Sequence, residues 1–157
     1  MNVVSDGRRT LAAVLALFLS ALLLVGLAPR ADAAGDRYGR RRQMLSLTNE
    51  DRQDRDRREL AFAATLSRYA KNHSEAMARK GYLFHSTEGQ LREALDGYDW
   101  TIGGENVGVG GSLETLEEAF MGSRLHRQNI LRPAFQRAAV GVVRDGDGFW
   151  VTVIFYG

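Results

Sequence analysis

An α+β layered domain is what the sequence predicts, and three observations carry it. Segments with a helical apolar period follow one another from Met44 to Leu131. The C-terminal end alternates apolar and other residues on both sides of Asp145-Gly146-Asp147-Gly148, the mark of two strands joined by a turn. No internal repeat interrupts this order, so helices come first and strands are interleaved and last.

The N-terminus speaks to location. Arg8 and Arg9 precede an uncharged run from Leu11 to Ala28, and Pro29 and Ala31-Asp32-Ala33 follow. A basic stretch, an apolar stretch and a small-x-small site in succession form the grammar of an export signal, here residues 1–33. Gly26 and Pro29 favour cleavage, because they end a helix just before Ala33. The alternative is an uncleaved anchor facing outside, since the apolar run is about as long as a short span and Arg37, Arg40, Arg41 and Arg42 follow it. Arg8-Arg9-Thr10-Leu11 also permits twin-arginine export of a folded chain. Either way the domain is expected outside the cytoplasm, secreted or anchored, and a membrane enters only if the segment stays on.

The formal net charge of the 157 residues is +2, and it falls to +1 once three arginines and two aspartates leave with residues 1–33. That near-balance argues against a nucleic-acid partner, which calls for a one-signed patch. Cysteine is absent, so an exported domain of this size must hold together by packing alone.

Residues 34–43 are basic and lack an apolar period, which predicts a disordered leader ahead of a domain at 44–157. Met44, Leu45 and Leu47 open a helix-compatible run. Arg52 to Glu59 alternates charges and reads as a solvated helix end or linker. Phe62, Leu66, Tyr69, Ala70, His73 and Met77 mark one face of an amphipathic helix that stops near Gly81. His73 on that face reads as a packed, hydrogen-bonded histidine. His85 follows the helix stop on a loop, where functional side chains concentrate. Leu91, Ala94 and Leu95 make a short helix ending at Gly97, with Tyr98 and Trp100 either covering the core edge or lining a cleft.

Residues 103–111 are rich in glycine, which allows close approach of other segments. They lack the phosphate-cradling spacing with Lys and Ser/Thr, which excludes a nucleotide loop. Glu105 stands alone there among small and apolar residues. A buried carboxylate requires a charged, metal or hydrogen-bonding partner, and Asn106 beside it suits holding the loop. Leu113, Leu116, Ala119 and Phe120 form the next helix, with Glu114, Glu117 and Glu118 on or near its exposed side. Ser123 then sits as N-cap of a short helix that carries His126 in its first turn and ends before Pro133.

His85, Glu105 and His126 are thus three candidates for one site. No His-x-x-x-His or His-Glu-x-x-His spacing joins them locally, so their convergence is left to the fold.

The ordered set Asn49-x-x-Arg52, the helix with Ala70, His73 and Met77, His85, Gly104-Glu105-Asn106, Phe120-Met121-x-Ser123, His126-Arg127-x-Asn129-Ile130-Leu131 and Val140-Gly141-Val142 resembles the CAP superfamily. That superfamily holds cysteine-rich secretory proteins, antigen 5 and pathogenesis-related class 1 proteins. The chain is similar to its disulfide-free bacterial, SCP-like branch from about Met44 to Gly157. The resemblance implies a three-layer α-β-α sandwich with a central cleft. It implies zinc or another divalent cation held by His85, His126 and Glu105, with Ser123, Asn106 and Asn129 supporting the cleft. The family's second acid falls on Ser123 here, and Glu117 and Glu118 lie one turn earlier. A Gly-Leu-x-x-Leu linker is replaced by the charged Arg55–Glu59 stretch.

The expectation that follows is a non-catalytic secreted module whose cleft binds a divalent metal and a lipid, sterol or cell-envelope ligand. Two alternatives stand beside it. One is a metal-dependent hydrolase of peptide or cell-wall substrates, for which no general base is assignable. The other is a purely structural polar network, with both histidines hydrogen-bonded to Glu105.

Overall fold

The computed structural model describes residues 30–157, with side chains from Tyr38 onward; the export segment lies almost wholly outside the described residues. The elements are α1 (Arg30–Gln53), β1 (Ala61–Phe62), α2 (Ser67–Lys80), α3 (Glu88–Leu95), β2 (Gly103–Gly110), α4 (Leu113–Gly122), α5 (Arg124–Ile130), β3 (Arg137–Asp145) and β4 (Gly148–Tyr156). No helix among the described residues is long and apolar enough to cross a membrane.

The sheet runs β1-β3-β4-β2. β1 pairs parallel to β3, and the other pairs are antiparallel. The β3–β4 hairpin closes at Asp145 opposite Gly148, with Gly146 left-handed at φ 57° in the turn. Period-two alternation sorts the strand residues between two cores. Val140, Val142, Val151, Val153 and Phe155 face Met44 and Leu45 of α1, Leu116 and Phe120 of α4, and Ile130 of α5. Ala139, Ile154 and Tyr156 face the other way, onto Leu66, Ala70 and Leu95 around α2 and α3. Helices therefore cover both faces, an α-β-α sandwich.

Four expectations need correction. Residues 34–43 are helical, not a disordered leader. The arginines without an apolar period bind aromatic faces instead: the Arg42 guanidinium lies 5.1 Å from the Phe62 ring centroid and that of Arg40 lies 5.2 Å from Phe149. Phe62 belongs to β1 rather than to the α2 face. Asn49 clamps the backbone N–H and C=O of Leu60, and Phe62 then registers with Ala138.

Arg52 is not a solvated linker charge but a fully buried one. Its guanidinium donates to the carbonyls of Arg58, Ile130, Arg132 and Phe135, at 2.7, 2.5, 3.2 and 3.3 Å. It fastens the end of α1 to the C-terminal end of α5, where a cation is electrostatically favoured. Finally, Glu117 turns inward and is 4% exposed, whereas its neighbour Glu118 is exposed.

Candidate polar site at the edge strand

β2 is an edge strand, and consecutive side chains on it point to opposite layers. Glu105 registers with Ile154 and so faces the α2–α3 side, while Asn106 registers with Val153 and faces α4 and α5. The site straddles this edge, drawing His85 from one layer and His126 from the other.

Glu105 is buried, with its side chain 4% exposed, and its lone pairs are answered locally. Oε1 accepts from His85 Nδ1 and from the Ser86 backbone N–H, both at 2.9 Å, and Oε2 accepts from Ser86 Oγ at 2.7 Å. Tyr69 Oη of α2 donates in turn to Ser86 Oγ at 3.3 Å. The same strap is pinned one residue earlier, where His73 Nε2 meets the Phe84 carbonyl at 2.9 Å and the two rings pack edge to face. His73 is thus the packed, hydrogen-bonded histidine its position predicts. A carboxylate oxygen accepts, so His85 Nδ1–H is the donor of this pair, and Nε2 has no hydrogen-bond partner among the described residues. The His85 side chain is 56% exposed, so its ring is open to solvent or a ligand.

On the other side of β2, Asn106 Nδ2 donates to the His126 carbonyl at 3.1 Å. Asn129 Nδ2 donates to Asn106 Oδ1 at 2.9 Å and to the Glu105 carbonyl at 3.3 Å. Gly104 makes room for this bridge, since a Cβ there would lie 2.9 Å from Asn129 Oδ1. His126 packs edge to face on Phe120 with centroids 5.0 Å apart. Burial first, and then the His85 charge, hold its pKa below 6.5. Ser123 occupies the N-cap position of α5, but its side chain makes no capping bond; its backbone N–H reaches back to α4 and its carbonyl accepts from Arg127 N–H at 2.9 Å.

The structure therefore joins His85 to Glu105 directly and sets His126 within electrostatic reach of His85. Sequence reasoning missed Ser86, which completes the Glu105 shell, and Tyr69, which holds Ser86. Adjacency of Ser86 to His85 was the available signal, but a loop serine carries no periodicity that would aim it. Among the described residues, no three His, Cys, Asp or Glu side chains form a group that could hold a metal ion. His85, Glu105 and His126 do not form such a group as they stand. Glu105 is enclosed as the hydrogen-bond partner of His85, and Ser123 stands where another carboxylate was needed.

Helices on both faces of a four-stranded sheet, with this His–Glu pair at its edge, agree with the resemblance to CAP domains. Residues 45–155 match the Cysteine-rich secretory protein family, CAP, and the chain belongs to that family. It is 34% identical over 111 residues to the uncharacterized protein YkwD of Bacillus subtilis (strain 168), covering 68% of this chain and 43% of that relative. The chain thus spans less than half the length of this curated relative. Among solved structures it resembles an extracellular SCP-domain protein of Bacillus anthracis, with a TM-score of 0.67, 24% identity and coverage of 83% of this chain and 44% of that one. An outer surface protein of Borrelia burgdorferi superposes with a TM-score of 0.64 at 18% identity, over 73% of this chain and 90% of that one.

Proposed function

We propose that this chain is a non-catalytic binding module acting outside the cytoplasm, and that the edge of the sheet carrying exposed His85 and half-buried His126 is where it takes its ligand. The names of its structural relatives, extracellular in one case and outer-surface in another, support the location, together with the export-type N-terminus. The observation that carries the binding reading is the state of Glu105. Both of its oxygens already accept bonds from His85 and Ser86, so it is occupied as an orienting group. With both oxygens so engaged, Glu105 serves to aim the His85 ring and not to meet a ligand itself.

A divalent cation, zinc foremost, would be held by His85 Nε2 and a ring nitrogen of His126, with Glu105 behind His85 fixing the direction of its ring. Its remaining positions would be left to solvent or to the ligand, for which a small lipid, a sterol or a cell-envelope molecule is the class proposed. Calorimetric titration of zinc into the protein tests the cation part. A weak one-to-one heat is expected in wild type, absent in the double variant His85→Ala/His126→Ala, and weakened about 10–100-fold in Glu105→Gln. Indistinguishable titrations of wild type and the double variant would remove the cation from the reading.

A further inference from the structure

A second polar feature lies between α1 and α4. We propose that the acidic hollow there binds an organic cation, an ammonium or guanidinium on a short alkyl chain, with the Glu117 carboxylate as its floor.

The hollow encloses about 310 Å³, and Leu47, Glu50, Asp51, Asp54 and Glu118 line it together with Glu117 and Glu114. Several rim acids have partners: Ser46 Oγ donates to Glu50, Arg55 pairs with Asp51 at 2.7 Å, and Gln43 Nε2 donates to Glu114. The floor differs. Glu117 is 4% exposed, and Oε2 accepts from Thr48 Oγ1 at 3.2 Å, but Oε1 is enclosed with no hydrogen-bond partner. A buried acceptor left unanswered is destabilising, and such groups in native proteins ask for a missing partner. Among the described residues, no three carboxylates are spaced to share a metal ion. An N–H-bearing cation suits the site better: once a rotation of the Glu117 carboxyl opens Oε1 to the hollow, the cation donates to it while its methylenes lie on Leu47 and its charge answers the rim.

Protonation behaviour agrees with this geometry. Burial, reinforced by the Asp51 charge, pushes the Glu117 carboxyl up to about 8, with the Thr48 hydrogen bond working weakly against it. The charged groups facing Glu117 are Glu50, Asp51 with its partner Arg55, and Asp54 on the α1 side, and Glu114 and Glu118 on α4. At neutral pH a proton thus occupies the floor, and an incoming cation replaces it: the O–H bond breaks, the proton goes to solvent, and the ammonium N–H takes its place at Oε1.

Calorimetry with spermidine and, separately, with a trilysine peptide distinguishes a free polyamine from a partner's basic side chain. The expected result is saturable one-to-one binding of either probe, tightening about tenfold or more between pH 6 and 8, where the side-chain ammonium groups of the peptide stay charged. Proton release at pH 7, read from the dependence of the heat on buffer ionisation, should accompany it. Glu117→Gln should flatten the pH dependence, and Glu118→Lys on the rim should abolish binding without altering the circular dichroism spectrum. The proposal is overturned if neither probe gives a saturable heat, if Glu117→Gln keeps the wild-type pH profile, or if calcium ions bind more tightly than spermidine at the same ionic strength.

Discussion

Glu105 is the residue on which the His85 edge depends. A carboxylate enclosed to this degree is tolerated because three donors converge on it. Truncation to alanine removes all three bonds and strands the Ser86 backbone N–H beneath the strap. Glu105→Ala is therefore expected to lower unfolding stability by about 2–4 kcal/mol in urea titrations. The His85 ring should also lose its fixed orientation, seen as averaging of its NMR signals. A loss under about 0.5 kcal/mol would mean that the strap is held by His73 and Tyr69 alone. The need for a partner was legible in the sequence, from one acid among glycines and apolar residues. Ser86 was not, because it reaches Glu105 from a loop that Tyr69, on a helix, holds in place, and only the fold brings these segments together.

At the scale of elements, α2 lies directly on the sheet, and polar seams fix its position. Ser67 Oγ accepts the Val140 N–H at 3.0 Å, and Ser74 Oγ donates to Thr152 Oγ1 at 2.9 Å and to the Gly141 carbonyl at 3.3 Å. Such an approach is possible because residue 141 has no side chain: a Cβ there would lie 2.2 Å from the Ala70 carbonyl carbon and 2.4 Å from the Lys71 nitrogen. Those atoms are helix backbone and cannot rotate aside. Gly141→Ala is thus expected to cost about 3 kcal/mol or more, or to prevent folding, whereas Gly148→Ala should change stability by less than about 1 kcal/mol. At Gly148 the nearest obstacle is a methyl group of Val109 at an ordinary 3.5 Å. Parallel denaturant curves of the two variants check this, and equal losses would mean that α2 can lift off the sheet without penalty. The hairpin and the helix before Gly81 are readable as periods of 2 and 3.6. β2 shows in the sequence only as a glycine-rich segment, because the contact surface offered by its glycines leaves no apolar alternation to detect. Residues 34–43 mislead for a related reason: their helix packs through guanidinium–ring contacts, which a hydrophobic period does not register.

For the whole molecule, the three layers share one sheet, so a charge trapped between α1 and α4 is expected to weigh on global unfolding. The layer order came from a resemblance to a family and not from periodicity, and the inward turn of Glu117 was hidden by a helix in which three glutamates occupy five successive positions. Once α1 covers it, Glu117 holds its proton to about pH 8 in the folded state, against an ordinary value of 4.5 when unfolded. Its contribution is then fully present below pH 4.5. Between 4.5 and 8 the unfolded chain has released a proton that the folded chain keeps, so stability falls as pH rises, and the loss levels off above 8. Its size is at most about 5 kcal/mol, because every tenfold gain in proton affinity on folding is worth about 1.4 kcal/mol. Glu117→Gln is neutral at every pH and keeps the shape of the side chain. The stability of this variant relative to wild type should therefore climb steadily from about pH 5 to about pH 8 and stay level beyond, in urea unfolding followed by far-UV circular dichroism. Two profiles that ran parallel over that range would show that the carboxyl ionises as freely in the fold as in the open chain, with solvent reaching between α1 and α4.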